Sequence, residues 1–213
     1  MAVKTRMFRI DQGGIAPAGA LLISDVLRRD GVLVYPTETF YGLGALASSK
    51  KGIKKVYRLK RRDRGKPLSI VIADTAMAEE SAASIPPLFR ALAREFWPGP
   101  LTLVLKAKPV FPEDMLGPGG TLAMRVPGLP WLRELLHSLG EPITATSANI
   151  SGEGEISDPE RVVREFRGKA DLIVDGGPTP GGLPSTIVDL TSAEPRILRA
   201  GAVPAAALRK FFV

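Results

Sequence analysis

Residues 31–49, GVLVYPTETFYGLGALASS, hold the reading on which the fold turns. Gly31 precedes Val32-Leu33-Val34, an apolar run with the β-branched composition of a buried strand. The strand leads into a polar segment, YPTETFYGLG at 35–44, dense in hydroxyls and glycines. Ser48 or Ser49 then caps a helix over about 50–60, with Ile53, Val56 and Leu59 on one side and basic residues on the other. Strand, polar turn and amphipathic helix in succession form an α/β unit, and the turn beside a basic helix raises the question of a bound ligand.

The same signals recur along the chain. A helix is predicted over 18–29, and further helices over about 87–96, 129–139 and 159–167. Strands are predicted at 68–72 (LSIVI), 101–107 (LTLVLKA), 121–126 (TLAMRV), 142–146 (PITAT), 170–175 (ADLIVD), 185–190 (STIVDL) and 196–199 (RILR). Helices separate some strands and only turns separate others, which predicts an α/β or α+β sheet of mixed direction. Gly/Pro clusters at 98–100, 117–120 and 176–184 are turns within the domain, since a strand follows each. With 213 residues and 45% hydrophobic content, one domain over 1–213 is expected, its tail from Ala202 forming a short terminal helix.

Composition narrows the function classes. No stretch approaches the roughly 20 apolar residues of a membrane span, and the N-terminus lacks a signal-peptide core. The absence of cysteine excludes disulfides, thiolate zinc sites and cysteine nucleophiles, and fits a reducing cytoplasm. His137 is the lone histidine, so a histidine metal cluster is impossible. Net charge is +7, but Lys50 to Lys66 alone carry +9, with ten Lys/Arg and a single acid, Asp63. A basic excess concentrated in one window describes either a local anion-binding surface or a solvated helix face.

Three catalytic patterns fail on context. Gly42-Leu-Gly44-Ala-Leu-Ala47 matches the dinucleotide pattern formally, but Tyr35 to Tyr41 separate strand from glycine, and the acid about 20 positions on is Asp63, set among arginines. No Walker-type phosphate loop appears. A Ser-His-Asp triad would need His137, which sits in the helical pattern WLRELLHSL. What remains is cations and hydroxyls at turns. Lys60, Arg62 and Lys66 are placed to converge on a polyphosphate. Arg125 interrupts an apolar strand before Pro127, as a solvent-facing residue or a carboxylate grip. Ala145-Thr-Ser147-Ala-Asn149-Ile-Ser151-Gly follows a strand, either as a capped turn or as part of a site.

YPTETFYGLG, Lys60-Arg61-Arg62 with Lys66-Pro67-Leu68, FWPGPLTLVL, TLAMRVP, ATSANISG, ADLIVDGG and STIVDL stand in the order and spacing of a known family. Over about residues 15–201 the chain resembles the YrdC/Sua5 family of threonylcarbamoyl-AMP synthases, in the short single-domain form. The resemblance implies a YrdC-like twisted open mixed sheet flanked by helices, with a concave basic cavity. It implies a nucleotidyltransferase that converts L-threonine, bicarbonate and ATP to threonylcarbamoyl-adenylate and pyrophosphate. The product serves N6-threonylcarbamoyladenosine modification of tRNA. Magnesium would accompany ATP without protein ligands, and tRNA would be met directly or through a separate threonylcarbamoyl-transferase complex.

By position, the resemblance implies Thr39, Arg125, Ala145 and Ser185 for threonine, and Arg62, Lys66, Thr121, Ser147 and Arg199 for ATP. Lys60, Arg62, Ser147 and Asn149 match the family's catalytic tetrad, with Lys60 and Asn149 stabilising phosphate and intermediate. Where some relatives carry a threonine-contacting histidine, this chain reads Ser69-Ile-Val71. A family ATP contact falls near Glu155, which is left out because its charge would repel phosphate. An RNA-binding module using the same basic surface is the alternative; against it, the basic window contains only Tyr57 for base stacking. A relative in carbamoyl transfer is the third reading, and the missing zinc-finger cysteines disfavour it.

Overall fold

The computed structural model describes residues 3–10 and 14–212. In chain order the elements are β1 (Arg6–Arg9), α1 (Pro17–Arg28), β2 (Leu33–Pro36), β3 (Tyr41–Gly44), α2 (Lys50–Lys60) and β4 (Ile70–Val71). There follow α3 (Thr75–Ser81), α4 (Pro87–Phe96), β5 (Leu101–Lys106), β6 (Thr121–Arg125), α5 (Pro130–Leu139), β7 (Ile143–Thr144) and β8 (Thr146–Ser147). The last are α6 (Pro159–Phe166), β9 (Leu172–Asp175), β10 (Thr186–Asp189), β11 (Arg196–Arg199) and α7 (Ala205–Arg209), the terminal helix expected of the tail.

The mixed α/β architecture is as expected, and the strands divide into two mixed sheets. One has the order β1-β9-β2-β3-β8, the other β11-β10-β5-β6-β4-β7. In the first, β9 runs parallel to β1 and β2, while β3 is antiparallel to β2 and β8. In the second, β5 is parallel to β10 and antiparallel to β6.

The helices follow from local chemistry. Ser49 Oγ accepts from Gly52 N to start α2, and Arg61 ends it in the left-handed region at φ 49°. Spacing then turns Ile53, Val56, Tyr57 and Lys60 to one buried face. On α5, Trp131, Leu132, Leu135, Leu136 and Leu139 are buried, and Gly140 supplies the left-handed stop at φ 72°. His137 lies on its half-exposed side, 3.6 Å from Asp74, as a helix-face residue. Asp74 itself caps α3, a short helix that the sequence pattern does not reveal.

The opening stretch forms a hairpin. Leu33 pairs with Gly44 and Pro36 with Tyr41 across β2 and β3, so 41–44 is a strand rather than a loop. Gly42 and Gly44 seat an aromatic ring: a Cβ on Gly44 would lie 2.9 Å from Tyr35 Cε1, and one on Gly42 3.1 Å from Tyr35 Cζ. The predicted strand 142–146 is broken in two. Ile143–Thr144 pair in the second sheet and Thr146–Ser147 in the first, so the chain changes sheet at Ala145.

Thr144 is fully buried at this crossing. Its Oγ1 accepts from Ala45 N at 3.1 Å and donates to Leu43 O at 3.3 Å; its carbonyl accepts from Tyr35 Oη at 3.1 Å. Burial pushes the Tyr35 hydroxyl well above its ordinary pKa, so it is a permanent donor here.

Gly201 sets the separation of the 184–186 segment from the chain after β11. A Cβ there would lie 2.2 Å from Pro184 O and 2.7 Å from the Ser185 carbonyl carbon. Both are backbone atoms, so relief requires main-chain movement. Gly201→Ala is expected to destabilise by about 1–3 kcal/mol, the usual range for overpacking; a urea midpoint equal to wild type would refute the constraint.

Candidate functional site

Between the two sheets lies a cavity of about 390 Å³. That is within the size range of small-molecule clefts. The first sheet contributes Tyr35, Tyr41 and Gly42, the turn between β2 and β3 Thr37, the second sheet Thr102, Thr121, Arg125 and Arg199, and the crossing segment Ala145, Thr146 and Ser147. Each arrives from an element already fixed by packing, so convergence is a property of the fold.

Of the predicted residues, Thr39, Arg62, Thr121, Arg125, Ala145, Ser147, Ser185 and Arg199 all line this cavity. Lys60, Lys66 and Asn149 do not. The Lys66 residue is exposed; its carbonyl accepts from Tyr57 Oη at 2.9 Å and from Arg62 Nε at 3.3 Å. Arg62 Nη2 donates to Pro67 O at 3.0 Å, so the carbonyls of 66 and 67 orient the guanidinium.

The expected convergence of Lys60, Arg62 and Lys66 on one anion is corrected by burial. Lys60 is only 2% exposed and points inward. Its ammonium donates to Ser147 O, and to Asn149 O and Asn149 Oδ1 at 3.0 Å each. Ser147 Oγ donates to the same Asn149 Oδ1 at 2.6 Å, and Asn149 Nδ2 donates to Glu153 O. Lys60 and Asn149 therefore act behind the cavity wall, holding the loop that carries Ser147. Elsewhere in the basic window, Lys51 pairs with Asp30 at 3.7 Å and Lys55 with Asp171 at 3.4 Å. Only Arg62 of that window lines the cavity.

The positive lining comes instead from dispersed arginines, Arg62, Arg125 and Arg199, against the one carboxylate of Glu155. Arg199 Nη2 donates to Ser185 O at 2.7 Å and to Ser185 Oγ at 3.0 Å. Ser185 Oγ in turn lies 2.8 Å from Thr102 Oγ1, a buried strand hydroxyl. Burial lowers the Arg199 pKa, and Glu155 partly restores it.

Several lining residues escape sequence reasoning. Thr102 breaks the apolar run of LTLVL, and that interruption is a usable signal. Ser69 occupies the wall with its Oγ donating to Ala145 O at 3.0 Å, whereas Val71 is buried in the core. Glu155, set aside for its charge, is also in the lining. Glu38, which lies beside this cavity and not in its lining, has no local signal at all; it pairs with Arg125 Nη1 through Oε1 at 2.7 Å.

Residues 25–201 match the Sua5/YciO/YrdC family model, described as telomere recombination. The chain is 42% identical over 183 residues to the threonylcarbamoyl-AMP synthase of Pyrococcus abyssi, covering 85% of this chain and 54% of that protein. The crystal structure of P. abyssi Sua5 complexed with L-threonine is similar at TM-score 0.91 and 36% identity, covering 97% of this chain and 61% of that one. Escherichia coli YciO is similar at TM-score 0.87 and 28% identity, over 98% of this chain and 100% of that one. The chain spans about half the length of the curated relatives from P. abyssi and Bacillus subtilis.

Burial, with the nearby Arg62 charge, pulls the Lys60 ammonium down to about 8 from 10.5, and Glu155 partly opposes the shift. The unfolded chain keeps this proton up to the ordinary value, while the folded chain releases it earlier. Folding stability from this group therefore rises with pH across that interval and is constant below it. Wild type is expected to gain stability relative to Lys60→Met as pH is raised from about 8 to 10.5. Urea unfolding at stepped pH reads the difference, and a pH-independent gap would refute the buried ammonium.

Proposed function

The chain belongs to the Sua5/YciO/YrdC family, and from that premise we propose that it is a threonylcarbamoyl-AMP synthase. L-threonine, bicarbonate and ATP would give threonylcarbamoyl-adenylate, pyrophosphate and water. The observation carrying the proposal is that Thr39, Arg125, Ala145 and Ser185 share one cavity with Arg62, Thr121, Ser147 and Arg199. Those are the positions expected for the amino acid and the nucleotide respectively.

The chemistry asks for positioning and charge compensation more than for a covalent nucleophile. The threonine amine adds to the bicarbonate carbon, and loss of water leaves a carbamate. A carbamate oxygen then attacks the α-phosphorus, and the pyrophosphate oxygen leaves with the bond electrons. Three anionic groups have to approach one another. Arg62, Arg125 and Arg199, drawn from separate segments, offset that repulsion at three places around the cavity. Arg125 would pair bidentately with the threonine carboxylate, while Thr39 and Ser185 would orient the rest of the amino acid.

The nucleotide side would use Arg62 and Arg199 on phosphate oxygens, beside Ser147, whose loop the Lys60–Asn149 cluster holds. Lys66 is retained only as a peripheral phosphate contact, given its exposed side chain. Magnesium suits this lining as an ion carried by the triphosphate, because Mg²⁺ keeps several waters and needs few protein oxygens. Among the described residues there is no cluster of three or more His, Cys, Asp or Glu that would hold a metal alone. Bound there, it would neutralise phosphate charge. The product would pass to a separate transferase acting on tRNA, and the cytoplasm would be the setting. No helix among the described residues is long and apolar enough to cross a membrane.

Purified protein given ATP, bicarbonate and L-threonine is expected to release pyrophosphate only when threonine is present. Threonine-independent or absent release would refute the assignment. Arg62→Ala is expected to lower turnover by about 100-fold or more, the scale of removing one preorganised transition-state donor. For Arg125→Ala the expected change is a rise of about tenfold or more in the threonine KM, equivalent to roughly 1.4 kcal/mol. An unchanged threonine dependence would count against the carboxylate clamp.

A further inference from the structure

Arg125 raises a problem that its proposed role does not solve. Its guanidinium is long, charged and nearly buried, at 10% side-chain exposure, and lies at the end of a strand whose neighbours Met124 and Val126 are core residues. A free arginine there would have many rotamers and no counter-charge. The counter-charge is supplied by Glu38, whose Oε1 accepts from Arg125 Nη1 at 2.7 Å. This is the one hydrogen bond of the Arg125 side chain among the described residues, so Nη2 and Nε have no protein acceptor.

The turn that carries Glu38 is held by its neighbours, while the second carboxylate oxygen, Oε2, is buried with no hydrogen-bond partner among the described residues. Glu38 sits in the turn joining β2 and β3, and Thr37 Oγ1 closes that turn by donating to Phe40 O at 2.7 Å and accepting from Thr39 N at 3.2 Å. The Thr39 carbonyl accepts from Gly181 N at 2.7 Å, which pins the turn to the 176–184 loop. Gly128 lies alongside the Glu38 stem; a Cβ on it would be 3.5 Å from Glu38 Cγ, ordinary contact distance. The Glu38 side chain does not line the main cavity. It lines a neighbouring one together with Trp131 and Glu134, so it approaches Arg125 from behind.

We propose that Glu38 is a positioning residue: it locks the Arg125 guanidinium against the 37–40 turn, leaving Nη2 and Nε for the carboxylate of the amino-acid substrate. The proposal rests on the threonine-synthase reading above. It gives the turn a double task. Thr39 presents its hydroxyl to the cavity 3.1 Å from Thr37 Oγ1, while Glu38 in the same turn orients the arginine. One four-residue turn between two strands of the first sheet thereby sets both the hydroxyl contact and, across the gap, the carboxylate contact on the second sheet.

A competing role for the same pair is occlusion, in which Glu38 occupies Arg125 and threonine must displace it. The two roles predict opposite signs. Under positioning, Glu38→Ala raises the threonine KM by about tenfold or more while the ATP KM stays within about threefold. Glu38→Gln keeps an oxygen acceptor at the same reach and restores most of the lost threonine affinity. Because Glu38 acts only through Arg125, the double variant Glu38→Ala/Arg125→Ala has the threonine affinity of Arg125→Ala alone.

Steady-state pyrophosphate release gives the KM values, and calorimetric titration with L-threonine gives affinity without turnover. Tighter threonine binding by Glu38→Ala establishes occlusion and overturns the proposal, as does an unchanged threonine KM. Additive losses in the double variant overturn it too, by showing that Glu38 acts elsewhere. If Glu38→Ala does not fold, Glu38→Gln decides in its place: a threonine KM within about threefold of wild type supports positioning, and tighter threonine binding establishes occlusion. Wild type that makes no threonine-dependent pyrophosphate overturns the synthase reading and this one with it; active wild type with additive variants overturns this one alone.

Discussion

The chain passes from one sheet to the other at Thr144-Ala145-Thr146, and the rest of the molecule is arranged around that passage. Two sheets that never shared a strand could slide apart or close up. Here a single buried residue, Thr144, spends its hydroxyl and carbonyl on the β2–β3 hairpin while its neighbour Ile143 pairs with β4. Such bonds are worth little net when made, but a buried donor or acceptor left without a partner is costly. The gap between the sheets is therefore held at one width, and that gap is the cavity.

Charge is distributed on a similar logic. A cluster of cations in a narrow cleft would repel itself strongly once water is displaced, since the local dielectric falls. Spreading Arg62, Arg125 and Arg199 over a turn and two strands avoids this and surrounds a bound anion. The dense run along α2 serves other ends. Part of it is solvated, Lys51 and Lys55 tie the helix to Asp30 and Asp171, and Lys60 turns inward to support a loop.

How legible was this in the sequence? The alternating or continuous apolar strands β5, β6, β9 and β10 were readable because their period is set by burial. Strand β3 was hidden by its glycines, which serve Tyr35 rather than a turn, and β1 by its largely exposed sequence, RMFR. The inward direction of Lys60 was available in principle, since Ile53, Val56, Tyr57 and Lys60 follow helical spacing. Basic character masked it, because a lysine on an apolar stripe is read as an interruption. The pairing of Glu38 with Arg125 spans 87 positions and leaves no local trace. Long-range pairing of this kind is set by sheet topology, which period and propensity do not encode.

Tyr35 and the two glycines facing it have a consequence for how such a chain can vary. A side chain at 44 has room only if the ring at 35 shrinks, and a smaller residue at 35 no longer reaches the Thr144 carbonyl. Positions 35, 42 and 44 are thus sterically coupled, while any residue at 144 supplies the same carbonyl. An exchange at 44 that displaces the Tyr35 ring therefore removes one of several bonds that tie the hairpin to the crossing segment, and leaves the Thr144 hydroxyl bonds to carry the link.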